Sequence, residues 1–268
     1  MATLTLVSKT AAPALPVPAV VGIPDLAVRN LSVRYGGAPP VFSGVDLTIR
    51  QGEQVALIGA NGAGKSTLLK CCLGFVPPCD GDVMLFGEPL ASLRANRQRS
   101  LRGGIGFVAQ KHNLVPRLSV LSNVVHGTLA AAPGPRAWLQ ALAPRIIRAR
   151  ALQALDMVGL ADLAPRRADG LSGGQSQRVA IARALVSRPR LILADEPAAS
   201  LDPTAGEEVM ATFVRVSRET GTTLVFTTHH LDHALGYAGR VIGLAGGGLD
   251  LDAPAASLAT GGLRDLYG

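Results

Sequence analysis

The chain has 268 residues, of which 48% are hydrophobic and 17% charged, enough length and apolar content to bury a core, and this excludes disorder over the whole sequence. Aromatic residues make up only 4%, so the core must be built from Ala, Val, Leu and Ile. The net charge of +7 admits an anionic partner such as nucleic acid, nucleotide or membrane surface, but equally a solvated arginine surface, since the only lysines are Lys9, Lys65, Lys70 and Lys111.

Residues 1–24 are rich in Ala, Pro and Val and predict a flexible N-terminal tail; Pro13, Pro16, Pro18 and Pro24 interrupt it, which speaks against a signal peptide. Leu26–Tyr35 and Val45–Ile49 alternate apolar and polar residues, the pattern of half-buried strands, and Gln51-Gly52 is a turn. Val55–Ile58 predicts a short buried strand, then a Gly-rich loop, then a helix over Ser66–Leu73. Val83–Phe86 and Ile105–Val108 are further strands. Residues 111–169 change character, with helical periodicity around Leu118–Leu129 and Ile146–Val158 and no clear strand. Alternation then resumes: helix Gln177–Val186, strand Leu191–Ala194, helix Glu207–Glu219 and strand Leu224–Phe226. Gly246-Gly247-Gly248 is a turn, followed by a short polar tail. The pattern is α/β with a helical insertion in its middle. Cys71, Cys72 and Cys79 have no zinc-binding spacing and read as reduced, buried small hydrophobes. No stretch of 18 apolar residues runs unbroken, so no membrane span is expected.

Gly59-Ala60-Asn61-Gly62-Ala63-Gly64-Lys65-Ser66 fits G-x-x-x-x-G-K-[ST] at every fixed position, with a strand before it and a helix after. Glycines let successive backbone N–H groups turn inward as an anion nest, and the following helix offers its N-terminal dipole to the same phosphates. Lys65 supplies a point charge for β- and γ-phosphates, and the Ser66 hydroxyl is a magnesium ligand. Leu191–Ala194 ends in Asp195 and Glu196. Parallel sheets place ligands at the carboxyl ends of their strands, so Asp195 there can hold magnesium and Glu196 can polarise a water as general base. Taken alone, the same pair reads as a solvated turn.

Leu171-Ser172-Gly173-Gly174-Gln175, followed by Gln177-Arg178-Val179-Ala180-Ile181-Ala182-Arg183-Ala184-Leu185, closely resembles the signature segment of ATP-binding cassette (ABC) ATPases. The resemblance implies a P-loop NTPase (RecA-like) core with an antiparallel β subdomain and an inserted α-helical subdomain at about 111–170, all within a domain spanning 25–268. It implies that ATP is sandwiched between two cassettes, with Ser172, Gly173, Gly174 and Gln175 of one facing the phosphates held by the other. Other family elements follow in order: Tyr35 as the aromatic that stacks on adenine, Thr67 beside the phosphate-binding residues, Gln110 as the glutamine that senses magnesium, Ser200-Leu201-Asp202 as the loop coupling the two sites, and His229 as the switch histidine on the γ-phosphate. Tyr35 also admits a plain strand-core reading. The resemblance covers roughly residues 26–245.

Two departures stand out. Ser176 interrupts the usual glutamine run, and His230 replaces the acid that often follows the switch histidine. His229 and His233, spaced i,i+4 on an expected helix, also suggest a metal pair, although no third ligand is evident.

Gln110–Val124 and Ala194–Pro203 are similar to the phosphonate importer ATPases. That likeness implies ATP and Mg²⁺ as cofactors. It also implies a homodimer at the cytoplasmic face of the membrane, working with two integral-membrane permease subunits and a solute-binding protein, and no nucleic acid. Import of phosphate, an amino acid or a metal, and a non-transport cassette acting on nucleic acid or ribosomes, remain as alternatives.

Overall fold

The computed structural model describes residues 22–129, 142–259 and 263, so most of the expected tail lies outside the described residues. Two sheets organise the chain. The first is antiparallel, in the order β2-β1-β4-β5, from β1 (Leu26–Val33), β2 (Phe42–Ile49), β4 (Asp80–Leu85) and β5 (Glu88–Pro89). The second has the order β10-β9-β3-β8-β7-β6, from β3 (Gln54–Ile58), β6 (Ile105–Val108), β7 (Leu191–Ala194), β8 (Thr223–Thr227), β9 (Arg240–Ala245) and β10 (Gly248–Pro254). Its strands run parallel from β9 through β6, and only β10 is antiparallel.

The apolar runs of β3 and β7 are explained by cover on both faces. Val55 and Leu57 of β3, with Leu191 and Leu193 of β7, pack into the cluster that holds the antiparallel sheet and α1 (Lys65–Cys72). The alternate residues Ala56, Ile58, Ile192 and Ala194 pack into a second cluster. That cluster takes in α3 (Val120–Val125), α4 (Arg145–Met157), α5 (Gly173–Leu185) and α6 (Pro203–Glu219). α2 (Ala95–Arg102) precedes β6, and α7 (Leu231–Tyr237) precedes β9. Among the described residues the fully buried aromatics are Phe42, Phe213 and Phe226; apart from Cys71, Cys72 and Met210, the rest of the hydrophobic core is aliphatic. No helix among the described residues is long and apolar enough to cross a membrane.

Several expectations need correction. β1 ends at Val33, and its alternation breaks where Arg29 and Asn30 bulge outward, with Asn30 in left-handed backbone at φ +46°. The segment after Gly246–Gly248 is an edge strand, β10, and not a polar tail; its polar residues alternate because one face is in solvent. The helix expected to reach Leu129 is α-helical only over Val120–Val125, followed by a 3₁₀ turn through Thr128. Cys71 and Cys72 are buried, but Cys79 is exposed, its thiol directed at the Ser32 carbonyl.

Candidate functional site

The parallel register aligns four strand ends. Leu57 of β3 lies opposite Thr227 of β8, and Ala194 of β7 lies opposite both Phe226 of β8 and Val108 of β6. The residues just beyond these strands are therefore neighbours: Gly59 after β3, Gln110 after β6, Asp195 and Glu196 after β7, and His229 after β8.

In the loop after β3, two glycines are fixed by close neighbours as well as by their backbone. A Cβ on Gly59 would meet the Leu244 carbonyl oxygen at 2.6 Å. Gly64, at φ +101°, caps α1 with left-handed backbone, and a Cβ there would lie 2.9 Å from both Val41 and Phe42. Lys65 opens the helix and is 5% exposed. Its ammonium folds back over the loop, donating to the carbonyls of Gly59 at 2.7 Å and Ala60 at 3.2 Å. Burial pushes the Lys65 pKa down, opposed by the charges of Glu196 and then Asp195. Asn61, Gly62 and Ala63 complete the curl, with the Ala63 N–H donating to the Ala60 carbonyl at 3.1 Å.

Ser66 donates to Asp195 Oδ1 at 2.9 Å. The Asp195 amide is fixed by the Val108 carbonyl at 2.8 Å. Glu196 is a non-glycine residue with φ +46°, a strained backbone conformation. Three groups surround its carboxylate. Gln110 Nε2 donates to Oε2 at 3.1 Å, His229 Nδ1 lies 3.5 Å from Oε1, and Lys65 Nζ lies 4.0 Å from Oε1.

Tyr35 lies beyond the end of β1 and is 50% exposed, which rules out the strand-core reading. Its hydroxyl is 3.4 Å from Thr67 Oγ1, so its ring stands beside the start of α1. Ser172 caps α5 in a capping box: its Oγ accepts the Gln175 N–H at 3.3 Å, and Gln175 Oε1 accepts the Ser172 N–H at 3.0 Å. Asp202 caps α6, accepting from the Ala205 N–H at 3.0 Å. The two caps adjoin, because a Cβ on Gly173 would meet Leu201 at 3.1 Å. Among the described residues, neither Ser172–Gln175 nor Asp202 shares a hydrogen bond or ion pair with the loop after β3.

The suspected histidine pair dissolves. His229 precedes α7, His230 is its N-cap, and His233 Nε2 is 3.0 Å from Glu207 Oε1. Among the described residues no group of three or more His, Cys, Asp or Glu side chains has metal-binding geometry. One residue of the site escaped the sequence reading. Thr227, fully buried at the end of β8, donates to Asp195 Oδ1 at 2.9 Å and accepts the Glu196 N–H at 2.8 Å. Its signal was a hydroxyl directly after the apolar run Leu224–Phe226, at the sheet's carboxyl edge.

Comparisons with known proteins bear on the family and the fold. The profile of the ABC transporter family matches residues 42–199. The chain is 48% identical to the phosphonates import ATP-binding protein PhnC of Nocardia farcinica, over 86% of each chain. It is 45% identical to the phosphate-import ATP-binding protein PhnC of Mycolicibacterium smegmatis, over 89% of this chain and 90% of that one. Among solved structures it is similar to cbiO1 of Clostridium perfringens, part of the ABC transporter complex cbiONQ (TM-score 0.76, 30% identity, 87% of this chain and 90% of that one). It also resembles the dimeric bacterial ABC transporter cassette MJ0796 (TM-score 0.72, 33% identity, 86% and 98% covered). On the profile match and these relatives, and with a glycine-rich loop, strand-end carboxylates and a capped helix on this fold, the chain belongs to the ABC transporter family as an ATP-hydrolysing cassette.

Proposed function

We propose that this cassette energises import of phosphonates from the cytoplasmic face of a membrane, as a homodimer bound to two permease subunits and served by a solute-binding protein. Residues 25–268 act as one ATPase domain with the helical subdomain inserted at about 111–170. The observation that carries the hydrolytic reading is the Glu196 carboxylate, held between Lys65, Gln110 and His229 beside a phosphate-binding loop. The cargo reading rests on the relatives, of which the one from Nocardia farcinica is named for phosphonates import.

In this mechanism Tyr35 offers its exposed face to adenine. The amides of Gly59–Ser66 and the Lys65 ammonium take the phosphates, and the N-terminal turn of α1, including Thr67, adds its N–H groups. Ser66, Asp195 and Gln110 supply only oxygen ligands, the donor set a hard cation such as Mg²⁺ prefers, and they would hold it here. When bound, the cation neutralises charge on the β- and γ-phosphates. Glu196 accepts a proton from the attacking water, while Gln110 and His229 keep carboxylate, water and γ-phosphate in line. Ser172, Gly173, Gly174, Gln175 and Asp202 act on the nucleotide of the opposite copy, a reading supported by the family resemblance and by the lack, among the described residues, of any hydrogen bond or ion pair between them and their own loop.

Glu196→Gln keeps the side-chain volume and removes the base. It is expected to bind ATP and pair with a second copy while losing steady-state turnover; retained turnover would overturn the assignment. The relative from Mycolicibacterium smegmatis is named for phosphate import and favours a second cargo reading. Reconstitution with the permease and binding protein decides: ATPase stimulation by a phosphonate but not by phosphate supports the first reading, and the reverse supports the second.

A further inference from the structure

Among the described residues, Thr227 carries a buried hydroxyl that touches both strand-end carboxylate residues, and it lies outside residues 42–199, the span the family profile matches. Asp195 Oδ1 takes two donors, Ser66 Oγ and Thr227 Oγ1, each at 2.9 Å. Among the described residues Asp195 Oδ2 has no hydrogen-bond partner. The same Thr227 oxygen accepts the Glu196 N–H at 2.8 Å, the amide of the residue with φ +46°. Thr227 itself is held in register by β3, with Leu57 opposite it. One hydroxyl thus uses its proton on one residue and its lone pair on the next.

From this we infer that Thr227 is a positioning residue for ATP hydrolysis, its hydroxyl fixing both the left-handed turn that aims Glu196 and the rotation of Asp195 that leaves Oδ2 for the cation. Three observations favour this over a packing role. The hydroxyl donates its one proton to Asp195 and accepts from the Glu196 N–H. Both partners are residues of the proposed chemistry, not core atoms. The strained backbone it grips occurs only at Glu196 among the residues of this strand end. A valine fits the same volume but leaves the Glu196 N–H without an acceptor and Asp195 with one donor fewer. The inference rests on the roles given above to Asp195 and Glu196.

The test compares Thr227→Val and Thr227→Ser in the full chain, with Glu196→Gln as a control. Outer partners of metal ligands typically affect metal affinity or activity by about 10–100-fold. Thr227→Val is therefore expected to lower kcat by about that factor and to raise the Mg²⁺ concentration for half-maximal turnover about tenfold. The affinity for trinitrophenyl-ATP in EDTA stays within about threefold, since without the cation Asp195 takes no part in nucleotide binding. Thr227→Ser restores most of the lost kcat. If Thr227→Val keeps normal kcat and Mg²⁺ dependence, or if Thr227→Ser is as impaired as Thr227→Val, the inference is wrong. Should the valine variant not fold, Thr227→Ala takes its place against Thr227→Ser with the same deciding outcomes. A turning-over Glu196→Gln would instead overturn the catalytic assignment, so the two failures are distinguishable.

Discussion

Gln110 and His229 grip opposite oxygens of one carboxylate: Gln110 Nε2 lies 3.1 Å from Glu196 Oε2, and His229 Nδ1 lies 3.5 Å from Oε1. They come from the ends of different strands, β6 and β8, so the orientation of Glu196 reports the spacing between those ends. Gln110→Ala and His229→Ala are each expected to lower kcat by about 10²-fold, the usual scale for a misplaced proton acceptor, with little change in KM. Steady-state kinetics checks this. A variant that raised KM alone would show that its residue serves ATP binding and not the chemical step.

Lys65 is the charge of the loop, and its ammonium already sits on the Gly59 and Ala60 carbonyls. Lys65→Ala removes a buried cation beside two carboxylates, so ATP affinity falls and Asp195 and Glu196 lose a neutralising neighbour. We expect nucleotide binding to weaken by about tenfold or more, each tenfold being about 1.4 kcal/mol. Titration with a fluorescent ATP analogue measures it, and unchanged affinity would remove Lys65 from the phosphate site.

Ser172 is expected to show two separable effects. As the N-cap of α5 its loss in Ser172→Ala costs about 1 kcal/mol of stability, measured by denaturant unfolding. An aspartate at this position keeps the cap while adding negative charge next to phosphates, so Ser172→Asp should retain stability and lose turnover. If Ser172→Asp hydrolyses ATP normally, Ser172 is a cap and nothing more.

The thiols divide by burial. Burial pushes Cys71 up to about 11 and Cys72 higher still, the latter helped by its neighbour Cys71, whereas Cys79 is exposed. At about pH 8 a thiol reagent should modify Cys79 alone in the folded protein and all three after denaturation. Because the folded-state pKa of Cys71 is raised from its ordinary 9.0, its contribution to stability is complete below pH 9 and is lost as pH rises through about 11. Cys71→Ala should flatten that alkaline limb of an unfolding curve recorded between pH 9 and 11.

Much of the site was legible because its residues are contiguous or closely spaced. The loop Gly59–Ser66 carries its own spacing, and the Asp195-Glu196 pair follows an apolar run that could only be a buried strand. Residues that act across long separations left weaker marks. Thr227 meets Asp195 only through the register of β7 against β8, which no local pattern encodes. α2 was silent because it buries only Leu101 and so has no apolar stripe to read. β10 looked like a tail because an edge strand with one wet face needs few apolar residues. The bulge at Asn30 was hidden because the sequence on both sides of it keeps a plausible alternation.

The adjoining caps at Ser172 and Asp202 bear on how the enzyme must be assayed. On the proposed pairing, each catalytic centre is finished by atoms from another molecule, so turnover depends on encounters between copies. Activity per milligram is then not a constant of the preparation. Dilution should lower it, crowding on a permease should raise it, and rates from different laboratories agree only at matched concentration.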